Sequence, residues 1–427
     1  MAIKILNAAD LHLGKRTSGL DAFGENCATK ATWRKMVDFS IENAVDLVLL
    51  AGDVVDRDNK YYEASSALQE GFRRLGEKGI DVCLVAGNHD WDVLPQILRN
   101  NPFDHVKLLG LRSTWERCFI EPNGERMQIV GRSFGSSVER GNPLIGLSDI
   151  TVDPDCFSIG LLHADVDNLE SPYGPVSLLE LQQAPVNVWI LGHIHKPTLL
   201  SSEKIIRYPG SPQALSAKEQ GIHGGLLMQV EGGRVMNTVE VSFSNCRFER
   251  LPVNVTGIDS EEGFRRLLET ELSEHANDRL LELDKTDYLV YDLLLTGRNS
   301  HGLEIESWGR TLKEGYELVL ASGTHVHVRE ISAAIRPTVE NLELLARERS
   351  PAGILAETIL AIRDGRSTPF LEELVRDWNE QFRVVTSSSG FQPLQRGFVQ
   401  YGNPRQAAPY IMEECNRLLT ELLFPNN

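Results

Sequence analysis

Nine residues that can bind a metal or move a proton cluster within the first 195 positions of this 427-residue chain. They stand as Asp10-Leu11-His12, Asp53 with Asp56, Asn88-His89, His163, and His193-Ile194-His195. Asp10/His12 and His193/His195 are spaced i, i+2, which puts both side chains of an extended pair on one side. Leaving out His89, the set offers imidazoles, carboxylates and one amide. Mixed N and O donors around a shared carboxylate suit a pair of borderline ions such as manganese, iron or zinc. Each cluster alone has an ordinary reading. A polar residue after a strand is commonly a turn former, and Asp53, Asp56 and Arg57 could be a charged turn. A second His-x-His, His325-Val326-His327, has no such companions and reads as one face of a strand or loop.

The clusters gain weight from the elements that must position them. Apolar runs at 3–9, 47–51, 82–86, 158–162 and 186–191 are rich in Val, Ile and Leu, as expected for strands buried on both faces. Each of the five runs leads directly into one cluster. In open α/β sheets, that carboxyl edge is where ligands bind. Glycines before Asp53, Asn88 and His193 let the backbone leave the sheet sharply. Helical patterns at 31–44 (Trp33, Val37, Ile41) and 61–78 (Ala64, Leu68, Phe72, Leu75) separate the early strands. The alternation predicts a largely parallel sheet with right-handed crossovers. After a turn-rich stretch at 207–213, residues 224–243 read as a hairpin turning at Gly232-Gly233. A boundary falls near 244–250. Beyond it the patterns predict a helix at 260–276 and strands around 288–295, 301–308 and 316–320, a small α+β unit. Helices at 338–349, 352–364, 369–383 and 406–423 follow, with 385–397 as the most linker-like segment. The division is 1–245, 246–335 and 336–427.

The net charge of −17 is spread evenly, with 29 acidic and 20 basic residues from Cys246 onward against 31 and 23 before it. Neither half is a basic nucleic-acid footprint, which argues against a stand-alone DNA binder but not against an enzyme with a local positive site. Six widely spaced cysteines with no CxxC pair read as buried free thiols. No apolar run approaches the roughly 20 residues needed to span a bilayer, so no membrane partner is expected. The first residues enter a strand at once, without a basic leader or cleavage site, which favours a cytoplasmic location.

The ordered series DLH, GDVVD, GNHD, LLHAD and GHIH resembles the calcineurin-like metallophosphoesterase superfamily over residues 1 to about 215. The resemblance implies an α/β fold: a two-sheet αββα sandwich, followed here by a small α+β capping domain and C-terminal helices. It also implies two divalent ions, with manganese favoured and iron or zinc as alternatives. One would take Asp10, His12 and His195, the other Asn88, His163 and His193, with Asp53 bridging. Two ions roughly 3.5–4 Å apart can activate a water and clamp phosphate oxygens for in-line attack. His89 is the candidate acid for the leaving oxygen. Asp56 either forms an Asp–His dyad with it, as in the phosphoprotein phosphatases, or caps the helix beginning near Lys60. Arg57 is either a fork donor to the phosphate or a surface residue.

GDVVDR resembles the phosphoprotein phosphatases, yet those continue with Gly after the Arg and carry GNHE, where this chain has Asp58 and GNHD. YPGSPQ at 208–213 and GIHGG at 221–225 resemble SbcD-type DNA repair exonucleases, with the bacterial branch the closer match because Asp56 stands where other branches carry a histidine. The expected function is therefore a metal-dependent nuclease hydrolysing phosphodiesters at DNA ends. A phosphatase or small-molecule or cyclic-nucleotide phosphodiesterase is the alternative, and an inactive scaffold subunit a third reading. DNA, an SbcC-like coiled-coil (SMC-type) ATPase and a second copy of the chain are the partners this resemblance implies. The stripe Ile411, Cys415, Leu418, Leu419 and Leu422 reads first as domain core and second as a partner surface.

Overall fold

The structure is a computed structural model that describes residues 2–20, 25–56, 61–283, 286–313, 316, 318–336, 342–386 and 404–423. The chain opens with β1 (Ile3–Ala8), α1 (Thr29–Glu42), β2 (Leu47–Ala51), α2 (Tyr61–Gly76), β3 (Asp81–Val85), α3 (Val93–Asn100) and β4 (Val106–Leu108). Next come β5 (Glu116–Ile120), β6 (Met127–Arg132), β7 (Phe157–His163), β8 (Asp165–Val166), β9 (Pro175–Val176), α4 (Leu178–Gln183) and β10 (Val188–Gly192). β11 (Thr198–Ser201), β12 (Ile206–Tyr208), β13 (Gly224–Glu231) and β14 (Arg234–Ser242) complete this part.

These strands form two six-stranded sheets, ordered β14-β13-β1-β2-β3-β4 and β11-β12-β10-β7-β6-β5. β1 to β4 pair in parallel, as do β6, β7, β10 and β12; the β13–β14 hairpin joins β1 antiparallel, Ile5 opposite Met228. Strand alternation explains the continuous apolar runs. Ile3, Ile5, Leu47, Leu49, Cys83 and Val85 face inward and meet Ile129, Ile159, Leu161, Val188 and Ile190 of the second sheet. Their neighbours Leu6, Val48, Leu50, Val82 and Leu84 pack instead against Trp33, Val37, Leu68 and Phe72 of α1 and α2. On the far face of the second sheet, Val130, Leu162, Trp189 and Leu191 pack with Leu181 of α4. Both sheets are thus covered on both faces, and the layers run helix, sheet, sheet, helix.

After β14 come β15 (Cys246–Asn254), α5 (Glu261–Asn277), β16 (Tyr288–Thr296), α6 (Gly302–Lys313), β17 (Leu318–Val319) and β18 (His325–Ala333). The four strands form a sheet in the order β15-β16-β18-β17. The strand expected at 301–308 is a helix. Leu303 and Ile305 alternate with Glu304 and Glu306 and so mimic a strand, but Ile305, Gly309 and Leu312 are the buried positions, a helical spacing. α7 (Leu342–Leu345), α8 (Pro351–Asp364), α9 (Pro369–Thr386) and α10 (Pro404–Leu423) end the described chain. Residues 338–341 of the expected first C-terminal helix, and 387–397 of the expected linker, lie outside the described residues.

By internal packing the chain divides into two compact units, 1–251 with 269–293 and 312–331, and 252–268 with 294–311 and 332–427. In the second, Ile411, Cys415 and Leu419 of α10 pack with Ile359 of α8 and Leu371 of α9, while Leu418 and Leu422 are exposed. No described helix is long and apolar enough to cross a membrane. All six cysteines are free; Cys118 is half-buried and the others are buried.

Candidate metal centre

The clusters named from the sequence meet at one edge of the sandwich, beyond the carboxyl ends of β1, β2, β3, β7 and β10. The chain leaves those strands by an unusual route. Among the described residues, nine non-glycine positions have positive φ, and four of them are Asp10 (52°), His12 (46°), Asp53 (47°) and His193 (102°). Left-handed backbone at such residues is costly and persists where the surroundings over-determine it. Here the surroundings are visible. The N–H of Asp10 donates to the Gly52 carbonyl at 3.0 Å, and that of His12 to the Asp53 carbonyl at 2.9 Å. The His193 N–H donates to the Asp10 carboxylate at 3.0 Å, and the His89 N–H to Asp53 Oδ1 at 2.9 Å. A Cβ at Gly192 would lie 1.8 Å from the Ala51 carbonyl oxygen, so only glycine lets β10 approach β2 this closely.

Three of the imidazoles are held by their Nδ1 atoms. His12 Nδ1 is 3.2 Å from Asp56 Oδ2, His195 Nδ1 is 2.8 Å from Glu219 Oε1, and His163 Nδ1 is 3.2 Å from the Ala51 carbonyl. Each of these partners is an acceptor, so the network assigns the ring proton to Nδ1 and leaves the Nε2 lone pair free. Those lone pairs converge. His12 Nε2 and His195 Nε2 face each other at 3.2 Å, acceptor against acceptor, and His163 Nε2 faces Asn88 Oδ1 at 3.0 Å. Asp53 Oδ2 lies between them, 3.7 Å from His12 Nε2 and 3.6 Å from His163 Nε2. In that tautomer the facing acceptors would be relieved by a cation, and the donor set of imidazole, carboxylate and amide oxygen fits divalent ions with ligand bonds of about 2.0–2.2 Å. Asp10, His12 and His195 converge in one cluster and Asp10, Asp53 and His163 in another. His193 belongs to neither; its ring packs 5.4 Å from His163 and 5.0 Å from Tyr173, with Nε2 3.8 Å from Asp165.

Electrostatics agree with this arrangement at His12 and His163, whereas at His195 burial is outweighed by Glu219 and Asp10, which raise its pKa. Burial lowers the pKa of His12 and of His163, keeping both neutral as ligands must be. Burial pushes the Asp10 carboxyl up to about 6 against the pull of His195. Burial also works against the Asp53 carboxylate, but His163, His12 and His89 hold its pKa below the usual range. Asp56 shows the same balance, its burial outweighed by His12 and by Lys15, whose Nζ is 2.5 Å away.

His89 is the one imidazole of the set with a third of its side chain exposed. Its Nδ1 is 3.7 Å from Asp56 Oδ2, longer than the His12 and Lys15 contacts of the same oxygen. His12, Asp56 and His89 form a further cluster. Arg57 lies outside the described residues.

Three contributors escaped the sequence reading. Asp90, fully buried, accepts from the N–H groups of Gly87 (2.7 Å), Val54 (2.7 Å) and Val55 (3.1 Å), tying the β2 and β3 turns together. Burial and the Asp53 charge push its carboxyl up to about 8, against those three donors. Its place in GNHD was the available signal. Lys15 follows DLHLG directly, whereas Glu219, some 24 residues past His195, had no local signal at all.

Comparison with known proteins shows what the chain is similar to. The Metallophos family, described as calcineurin-like phosphoesterase, matches residues 3–197. The uncharacterized metallophosphoesterase YhaO of Bacillus subtilis is 30% identical over 268 residues, 60% of this chain and 64% of YhaO. The DNA double-strand break repair protein Mre11 of Sulfurisphaera tokodaii is 29% identical over 51% of this chain and 55% of its own length. Mre11 of Sulfolobus acidocaldarius is 24% identical over 69% of this chain and 78% of its own. The chain thus spans 64% and 55% of the first two of these relatives. Residues 3–197, which carry every described residue of the converging site except Glu219, match the calcineurin-like phosphoesterase family, and the chain is similar to a metallophosphoesterase and to Mre11 proteins.

Proposed function

We propose that this chain is a metal-dependent nuclease that hydrolyses phosphodiester bonds at DNA ends. The observation that carries the reading is the pair of facing acceptors, His12 against His195 and His163 against Asn88, with Asp53 Oδ2 between them. Asp10, His12 and His195 would hold one ion, Asn88, His163 and His193 the other, and Asp53 both. Bound there, two divalent ions, with manganese the favoured pair, supply Lewis acidity and a water activated for in-line attack. The chain's own groups do the rest. Asp56 and Glu219 keep the protons of His12 and His195 on Nδ1, so that both Nε2 atoms point into the site. His89, with its ring reaching solvent and its Nδ1 3.7 Å from Asp56 Oδ2, delivers a proton to the leaving oxygen.

Similarity to DNA double-strand break repair proteins favours DNA over a phosphomonoester as substrate; a coiled-coil ATPase partner, a second copy of the chain and a cytoplasmic location complete the proposal. In this reading 1–245 is the hydrolytic domain, 246–335 the α+β capping domain, and 336–427 a helical region. The test is a substrate panel in manganese and in chelator. Release of nucleotides from linear DNA is expected, only with the metal. Activity confined to monoesters or cyclic nucleotides would sink the nuclease reading, and no activity on any ester would favour a scaffold subunit.

A further inference from the structure

YPGSPQ and GIHGG flank a segment, 214–220, to which the reaction above assigns one residue only in passing. The three stretches close around His195. Gly210 has φ +81°, and a Cβ there would lie 2.6 Å from the His195 carbonyl oxygen. The Ser211 N–H donates to that same carbonyl at 2.9 Å. Ser211 is held in turn by His223, whose Nδ1 is 3.0 Å from its hydroxyl, and His223 is itself buried. The ring of His195 is gripped from the other end. Glu219 Oε1 meets Nδ1 at 2.8 Å, while Oε2 accepts from the Leu215 N–H at 2.7 Å, so both carboxylate oxygens are committed.

We propose that Glu219 is a positioning residue that sets the tautomer of His195 and thereby the affinity of one of the two metal positions. The proposal rests on the two-ion reading of the site. A neutral imidazole carries one proton, and it can serve as an Nε2 ligand only when that proton sits on Nδ1. Glu219 holds it there. Without the carboxylate, the proton is free to move to Nε2, where the acceptor Nε2 of His12 stands 3.2 Å away. The two histidines would then hydrogen-bond to each other and close the position meant for the ion. His163 is backed by the Ala51 carbonyl instead, on another strand, so the second position does not depend on Glu219.

The experiment is calorimetric titration of chelator-stripped full-length protein with manganese(II) chloride, for the wild type, Glu219→Ala and Glu219→Gln. It is paired with 15N-histidine NMR of the metal-free proteins. Wild type takes two ions. Glu219→Ala weakens one of them by about 10–100-fold, the range for loss of an outer carboxylate, and leaves the other within about threefold. Glu219→Gln falls between, because its amide oxygen still accepts from Nδ1. In the metal-free spectra, the His195 proton moves from Nδ1 to Nε2 in Glu219→Ala. Two ions bound by Glu219→Ala with wild-type affinities would overturn the proposal alone. Equal weakening of both ions, with a lowered melting temperature of the metal-free protein, would also overturn it by making Glu219 a general brace. Fewer than two ions on the wild type would overturn the two-ion reading and this proposal together.

Discussion

The chain contains the pattern His-x-His twice, and the two copies share almost nothing else. His193 and His195 follow β10, where the backbone turns left-handed at His193. His325 and His327 lie within the extended β18, where Val326 and Val328 are buried and the histidines point away from that core. The residue before the pair differs as well: Gly192 has no room for a Cβ, while position 324 carries threonine. Around the first copy, Asp10 accepts the His193 N–H and Glu219 holds the His195 ring. Among the described residues, the second copy joins no cluster of ligand-type groups. Spacing alone places two imidazoles on one side of a strand. The first copy adds a strand end at the ligand edge of a sheet and, at His195, an acceptor that holds the ring.

This contrast can be broken by substitution. Gly192→Thr gives the first copy the threonine of the second. The new Cβ would meet Ala51 and His163, so we expect a stability loss of about 1–3 kcal/mol together with loss of bound metal and activity. Urea denaturation and metal analysis read both, and a variant with wild-type stability and metal content would erase the distinction. Asp53→Ala leaves the fold but removes the oxygen between His12 and His163, so metal content should fall below two ions per chain and turnover should disappear. Full metal content in that variant contradicts the bridging role. His89→Ala should keep the metal and slow turnover by about 10²–10⁴-fold, the usual contribution of a general acid. Parallel loss of metal would make His89 a ligand. The smallest effect belongs to the second copy: His325→Ala with His327→Ala should leave metal content and activity unchanged and cost at most about 1 kcal/mol. Loss of an ion from that double variant would show that the two copies are alike after all.

Where local pattern and burial coincided, the sequence was readable. The runs at 47–51 and 186–191 became β2 and β10 because strands covered on both faces need apolar residues throughout. β4, β5 and β6 were missed. Lys107, Arg117 and Gln128 interrupt their apolar character, as expected for strands nearer a sheet edge. The 301–308 strand failed through accidental alternation on a half-exposed helix. Of the site, the residues in short motifs were visible as types, but Asp56 was read as a partner of His89 or a cap of the helix near Lys60, whereas its oxygen stands closer to Lys15 and His12. That order of distances depends on how β1 and β2 lie side by side, which no local pattern encodes.

What the sequence determined by itself was the chemistry on offer: strands buried on both faces, and Asp, Asn and His delivered at their carboxyl ends. Those features are local, since residue type, spacing and glycine placement depend only on near neighbours in the chain. Tertiary structure decided which nitrogen of each imidazole is free. It brought Glu219 to His195, Asp56 to His12 and the Ala51 carbonyl to His163, from 24, 44 and 112 residues away. A ring proton goes to whichever nitrogen finds an acceptor in space, and only the packed sheets place those acceptors.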